Sequence, residues 1–216
     1  MTGRFGRWGR AATAFGLTAI ACGAASCGDI ARSGRSPSIL VIDALQAASG
    51  VTPGEFHAFL LSDVLTLVKA QVNGQEVRVP TTFNDPGVVT LRILLKDAGQ
   101  PGAQASPSNL NAIQVNRYRV VFVRSDGRNV QGVDVPYTFD GATTATVTPT
   151  PVEVGFEIVR HQAKAEAPLK AMAGGGGRVL ISAIAEITFY GHDLAGNDVA
   201  ATGSISVGFG DFGDPD

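Results

Sequence analysis

The sequence predicts an all-β fold: about seven to nine antiparallel strands in two sheets packed face to face. Three observations predict it. Period-2 alternation of apolar and polar residues dominates from Ser38 onward, which gives each strand one apolar face to bury. Clusters of turn-forming residues interrupt the alternation at the spacing of short strands. The composition is that of a chain able to fold, with 44% hydrophobic and 17% charged residues and a mean hydropathy of +0.16. A disordered chain, which lacks the apolar surface to offset its ordering entropy, is excluded. Seventeen Lys and Arg against nineteen Asp and Glu leave no basic field to attract nucleic acid. Two cysteines are too few for a disulfide scaffold or a cysteine-based zinc site.

The chain begins with Arg4, Arg7 and Arg10 and has no acid before Asp29. A small and apolar run follows, from Ala11 to Ala25. At about 15 residues it suits the apolar region of a signal peptide better than a membrane span of roughly 20. It ends in Ala24-Ala25-Ser26-Cys27-Gly28. Small residues directly before a cysteine resemble the lipobox of bacterial lipoproteins. That resemblance implies cleavage before Cys27, a diacylglyceryl group on its thiol, and attachment to a membrane through the lipid. Ala24 stands where that motif usually has Leu. Cys22, after Ala19-Ile20-Ala21, is a second candidate, but polar sequence starts directly after Cys27, as a tether requires. The alternative is an ordinary secretory signal cleaved after an Ala-x-Ala-like site. Residues 1–26 are therefore read as signal peptide, 27–37 as lipidated cysteine and tether, and 38–216 as the β-domain. The tether, with Arg32, Ser33, Arg35 and Ser36, reaches at most ~35 Å when extended. No later segment is long and apolar enough to span a bilayer, since Ser182 and Glu186 interrupt Val179–Tyr190.

Within the domain, Glu55–Val68 fits helical and strand spacing alike. We expect an edge strand over Ala58–Val72. Asn84-Asp85-Pro86-Gly87 reads as a turn before a strand over Val88–Lys96, where Val89, Leu91, Ile93 and Leu95 face one way. Gly99–Asn111 is a looser connection. Strands over Ala112–Arg124 and Val130–Phe139 flank the turn Ser125–Asn129. Val152, Val154, Phe156 and Ile158 alternate with Glu153, Gly155 and Glu157. A helical turn is expected over His161–Ala167, ended by Pro168. Gly174–Gly177 is a loop without the Lys-Ser/Thr of a phosphate cradle. Strands over Ile184–His192 and Val199–Phe209 enclose the turn Leu194–Asn197.

The run from Ile187 to Asn197 carries a further resemblance. An aromatic strand, then Asp193-x-Ala195-Gly196-Asn197, then a last alternating strand is similar to the end of bacterial immunoglobulin-like and fibronectin-III-like domains. The resemblance covers about a tenth of the chain and implies a single immunoglobulin-like β-sandwich, with loops longer than usual for that fold. Locally, Gly and Asn tolerate the left-handed backbone and Asp accepts bonds from nearby amides.

Candidate chemistry is sparse. His57, His161 and His192 are the only general bases for neutral pH. His192 follows Tyr190 on one face and adjoins Asp193, so with Asp198 it could form an acid–base or metal cluster. The plainer reading is a strand-end histidine beside a turn. Asp193, Asn197 and Asp198, and separately Asp211, Asp214 and Asp216, could offer oxygen ligands, but neither set has EF-hand spacing. Arg117, Arg119, Arg124 and Arg128 form either an anion-binding patch or a charged, solvent-facing strand edge that resists aggregation. Any sugar platform in the mature chain would rest on Tyr118, Tyr137 and Tyr190, because Trp8 leaves with the signal. No nucleophile–base motif is present. The sequence thus points to a non-catalytic, lipid-anchored envelope protein without cofactor or metal, acting through envelope partners. The alternative is a secreted module that binds carbohydrate or peptide.

Overall fold

A computed structural model of the protein describes residues 34–97, 99–212 and 214. Cys22 and Cys27 lie outside them. In chain order the strands are β1 (Ser38–Ala47), β2 (Phe59–Asp63), β3 (Thr66–Val72), β4 (Gln75–Thr81), β5 (Asp85–Leu95), β6 (Gly99–Gln100), β7 (Ala103–Gln104), β8 (Ile113–Val123), β9 (Phe139–Val147), β10 (Val152–Val159), β11 (Ile181–Asp193) and β12 (Asp198–Gly210). A short helix, α1 (His161–Lys164), follows β10. β1, β5 and β10 make a three-stranded antiparallel sheet with β5 central, and a five-stranded sheet runs β2-β12-β11-β8-β9. β3 with β4, and β6 with β7, form separate hairpins.

The all-β class follows from the alternation. Val89, Leu91 and Ile93 of β5, Val154, Phe156 and Ile158 of β10, and Ile205, Val207 and Phe209 of β12 all enter one buried cluster fed by both sheets. Its centre is aromatic. Phe156 of the smaller sheet meets Tyr118 and Phe189 of the larger at centroid distances of 5.4 and 5.3 Å, both edge-on, pairings worth ~0.5–1.5 kcal/mol beyond their burial. The Tyr118 hydroxyl accepts the Glu157 N–H at 3.1 Å, so its polar tip is partnered between the sheets. Two glycines make room. A Cβ on Gly141 would strike the Tyr118 ring, and one on Gly87 the Phe156 ring.

Several expectations need correction. Ala58–Val72 is two strands, not one: β2 ends at Asp63, and β3 turns away into its own hairpin. β2 does lie at a sheet edge, but it pairs with β12 in parallel, so the sheet is not wholly antiparallel. The turn read at Asn84–Gly87 is already strand from Asp85, with Pro86 near the strand start, where its missing N–H is tolerated. No strand covers Val130–Phe139. Gly132 takes a positive φ of 75°, Pro136 cannot donate, and a bridge between Gln131 and Val135 closes the segment as a loop. The strand instead begins at Phe139 and runs through the small residues to Val147. Eight strands build the two main sheets, and the two hairpins add four more.

Candidate binding cleft

The turn after β11 shows how local chemistry shapes one end of the molecule. Asp193 is buried, and its Oδ1 accepts the N–H groups of Ala195 and Asn197, both at 2.9 Å. Its Oδ2 accepts the Asn197 side-chain amide at 2.8 Å. Gly196, at φ 80°, donates to the Asp193 carbonyl at 3.0 Å and closes the turn. Burial pushes the Asp193 carboxyl up, but the bonds from Asn197, Ser36 and Ala195 outweigh it and hold it below the usual carboxylate range. Those oxygens are engaged by the turn and are not free to serve His192. Among the described residues no three His, Cys, Asp or Glu side chains gather as a metal site would require.

Just before this turn, β11 alternates Phe189, Gly191 and Asp193 inward with Tyr190 and His192 outward. His192 lies across from Asp198 of β12, and Tyr190 across from Arg117 of β8. A bulge in β8 between Val115 and Arg117 leaves both Asn116 and Arg117 on the solvent side. The Arg117 guanidinium lies over the Tyr190 ring, 4.1 Å from its centroid. The segment leading into β1 forms the facing wall. Lys96, just past the end of β5, ties that segment down by donating from Nζ to the Gly34 carbonyl at 2.8 Å and from its backbone N–H to the Pro37 carbonyl at 2.9 Å. Between these walls lies a cleft of about 720 Å³, within the ~300–1,000 Å³ range of small-molecule sites. Ser38 lines it with a hydroxyl that is buried and has no hydrogen-bond partner. Tyr190, His192 and Asp198, which the sequence grouped, therefore meet Arg117, which it placed in a separate basic patch. Ser38 and Lys96 were missed because their approach depends on the pairing of β1 with β5.

The other candidates are placed differently. Arg117 and Arg119 share Asp140, the latter bidentately at 3.0 and 2.8 Å, and Arg124 and Arg128 share Asp126. Hydrogen bonds from these arginines pull both exposed carboxyls down. β8 lies between β11 and β9, so Arg117 and Arg119 stand on an interior strand and not on a sheet edge, while Arg124 and Arg128 lie in the turn that follows it. Tyr118 is core, Arg117 covers one face of Tyr190, and Tyr137 is half-exposed with its ring against Gly132. His57 stacks on Phe59 at 5.6 Å, and His161 Nδ1 lies 2.8 Å from Asn84 Oδ1. Gly176 donates its N–H to Asp211, so the glycine run contacts the acidic tail.

The opposite end of β5 holds an ion pair that sequence reading did not find. Asp85 and Lys164 meet at 2.9 Å with side chains 0% and 1% exposed. Ser62 Oγ donates to Asp85 Oδ2 at 2.6 Å, and the Gly50 N–H to Oδ1 at 2.8 Å. Burial pushes the Asp85 carboxyl up, while Lys164, Ser62 and Gly50 draw it back. This network joins β2, β5, α1 and the loop after β1, and its full enclosure makes it a structural clamp. No helix among the described residues is long and apolar enough to cross a membrane. Comparison of the chain with protein-family models, curated proteins and solved structures gives no match.

Proposed function

We propose that this protein is a non-catalytic, lipid-anchored module of the bacterial cell envelope, an immunoglobulin-like β-sandwich that Cys27 fixes to the membrane and that acts by binding. One observation carries the reading. The segment entering β1 is pinned to the domain by Lys96 at Gly34 and Pro37, beside the cleft. Cys27 precedes Gly34 by few residues, a reach of at most ~25 Å. An anchor there would hold the cleft end toward the membrane surface and leave the Asp85 end pointing away. The engagement of the Asp193 carboxylate by its own turn supports a structural role for that motif over an acid–base one.

The test is the intact mass of the mature protein from the membrane fraction, beside that of Cys27→Ser. The expected mass is residues 27–216 plus a diacylglyceryl and an N-acyl group, absent from the variant. An unmodified protein, cleaved elsewhere and recovered from the medium, would sink the anchored reading. It would favour the second one, a secreted ligand-binding module, for which the cleft is the supporting observation. That module would show a melting temperature raised by a specific small ligand.

A further inference from the structure

We propose that the cleft between the Gly34–Ser38 segment and the outer face of β8, β11 and β12 binds a phosphate group, held by Lys96, Arg117 and the Ser38 hydroxyl. The inference names a ligand for the envelope-module reading but does not depend on the anchor. Four features of the site carry it.

The first is charge. Lys96 and Arg117 are the fixed cations among the lining residues, and Asp198, across from His192, is the one acid. The second is donor capacity. An ammonium has three N–H donors, and Lys96 commits one to the Gly34 carbonyl. A guanidinium has five, and Arg117 makes only a 3.3 Å contact to Asp140. Both keep donors free for the oxygens of an anion. The third is pre-organisation. Stacking on Tyr190 fixes the Arg117 plane, so binding would immobilise little that is not already fixed. The fourth is the Ser38 hydroxyl, 1% exposed and without a partner. A buried polar group in that state is unfavourable until something completes its hydrogen bonding. A phosphate oxygen seated between Lys96 and Arg117 would do so, and the size of the cleft leaves space for the organic group that carries the phosphate.

That group could belong to a lipid headgroup or to a soluble organophosphate. The experiment uses the full chain carrying Cys27→Ser, so that no lipid anchor is needed and a failure of the anchored reading leaves this test intact. Two probes are applied: glycerol 3-phosphate by titration calorimetry, and phosphatidylglycerol vesicles, against phosphatidylcholine vesicles, by co-sedimentation. Saturable binding of glycerol 3-phosphate is expected, weakened about tenfold or more by Lys96→Ala or by Arg117→Gln and severalfold by Ser38→Ala, with melting temperatures retained. Arg124→Gln removes the same charge just past the end of β8, away from the cleft, and should leave binding unchanged. Binding of both probes with this pattern identifies a headgroup ligand. Binding of the soluble probe alone identifies a free organophosphate. The proposal is overturned if the folded chain binds neither probe. It is equally overturned if vesicle binding falls as much with Arg124→Gln as with Lys96→Ala, which would be diffuse electrostatic attraction.

Discussion

Asp193 and Asp85 are both buried carboxylates, one at each end of the molecule, and their surroundings differ in kind. Asp193 is satisfied by amides two and four positions away in its own turn. Asp85 takes its partners from 23, 35 and 79 positions away, one of them a lysine. The turn's own bonds need only a short peptide to form, with Ser36 as the one distant addition. The Asp85 arrangement exists only once β2, β5 and α1 have docked, and it holds a pair of charges in a place water does not reach. The turn at the cleft end is thus built locally, beside a cleft that is left open. The far end is closed by long-range contacts, so damage there should unfold the protein, while damage at the cleft should change what it binds.

The largest expected effect breaks the far end. Lys164→Met leaves Asp85 buried without its counter-ion and should cost about 3–5 kcal/mol in urea unfolding. Replacing both partners, Asp85→Leu with Lys164→Met, should recover much of that loss. A single variant as stable as the parent would mean that the pair is not enclosed in solution.

Packing between the sheets comes next. Gly141→Ala drives a methyl group into the Tyr118 ring and should cost ~1–3 kcal/mol, readable as a lower thermal midpoint. An unchanged midpoint would place Tyr118 elsewhere. Asp193→Ala leaves the amides of Ala195 and Asn197 without an acceptor and should cost about 1–3 kcal/mol. A loss smaller than that of Gly141→Ala would still fit, whereas no loss would remove the turn from the comparison.

Acid sharpens the contrast, because the two aspartates act with opposite sign. The Asp193 carboxyl lies below its ordinary value in the fold, so its contribution is complete above that value and fades as pH drops through the folded one. Burial raises Asp85 and Asp63, so their contributions instead grow as pH falls through their folded values toward 3.8. Asp193→Asn should therefore flatten the loss of stability below about pH 4. Unfolding midpoints measured from pH 6 to pH 3 decide it, and parallel curves for parent and variant would refute the assignment.

The smallest effect is expected at Arg119. It is a solvent-exposed partner of Asp140, and Arg119→Gln should leave the unfolding midpoint unchanged within error.

The same division between local and distant causes explains how far the sequence could be read. β5, β10, β11 and β12 were legible because Val, Ile and Phe alternate with polar residues and mark their inner face. The Asp193 turn was legible because its donors and acceptor are neighbours in the chain. β9 was not, since Ala, Thr and Gly between Asp140 and Thr146 offer no contrast between faces, and its strand state comes from pairing with β8. Asp85 sat in an Asn-Asp-Pro-Gly string with every mark of a turn; pairing with Val159 of β10 makes it strand, and the distant Lys164 and Ser62 partner its buried carboxyl. Tyr190, His192 and Asp198 could be placed near one another from the β11–β12 hairpin. Ser38 and Lys96 join them through a pairing that no local pattern announces.

The parallel seating of β2 beside β12 also governs the order in which the molecule can assemble. Phe59–Asp63 is synthesised long before its hydrogen-bonding partner, Ser206–Gly210 of β12. The Phe212 N–H that completes Asp63 comes from 149 positions later. Closure of the larger sheet therefore waits for the synthesis of β12, as expected of a slow folder dominated by distant contacts. Until Ser206–Gly210 is free to dock, β2 has no strand of the larger sheet to pair with.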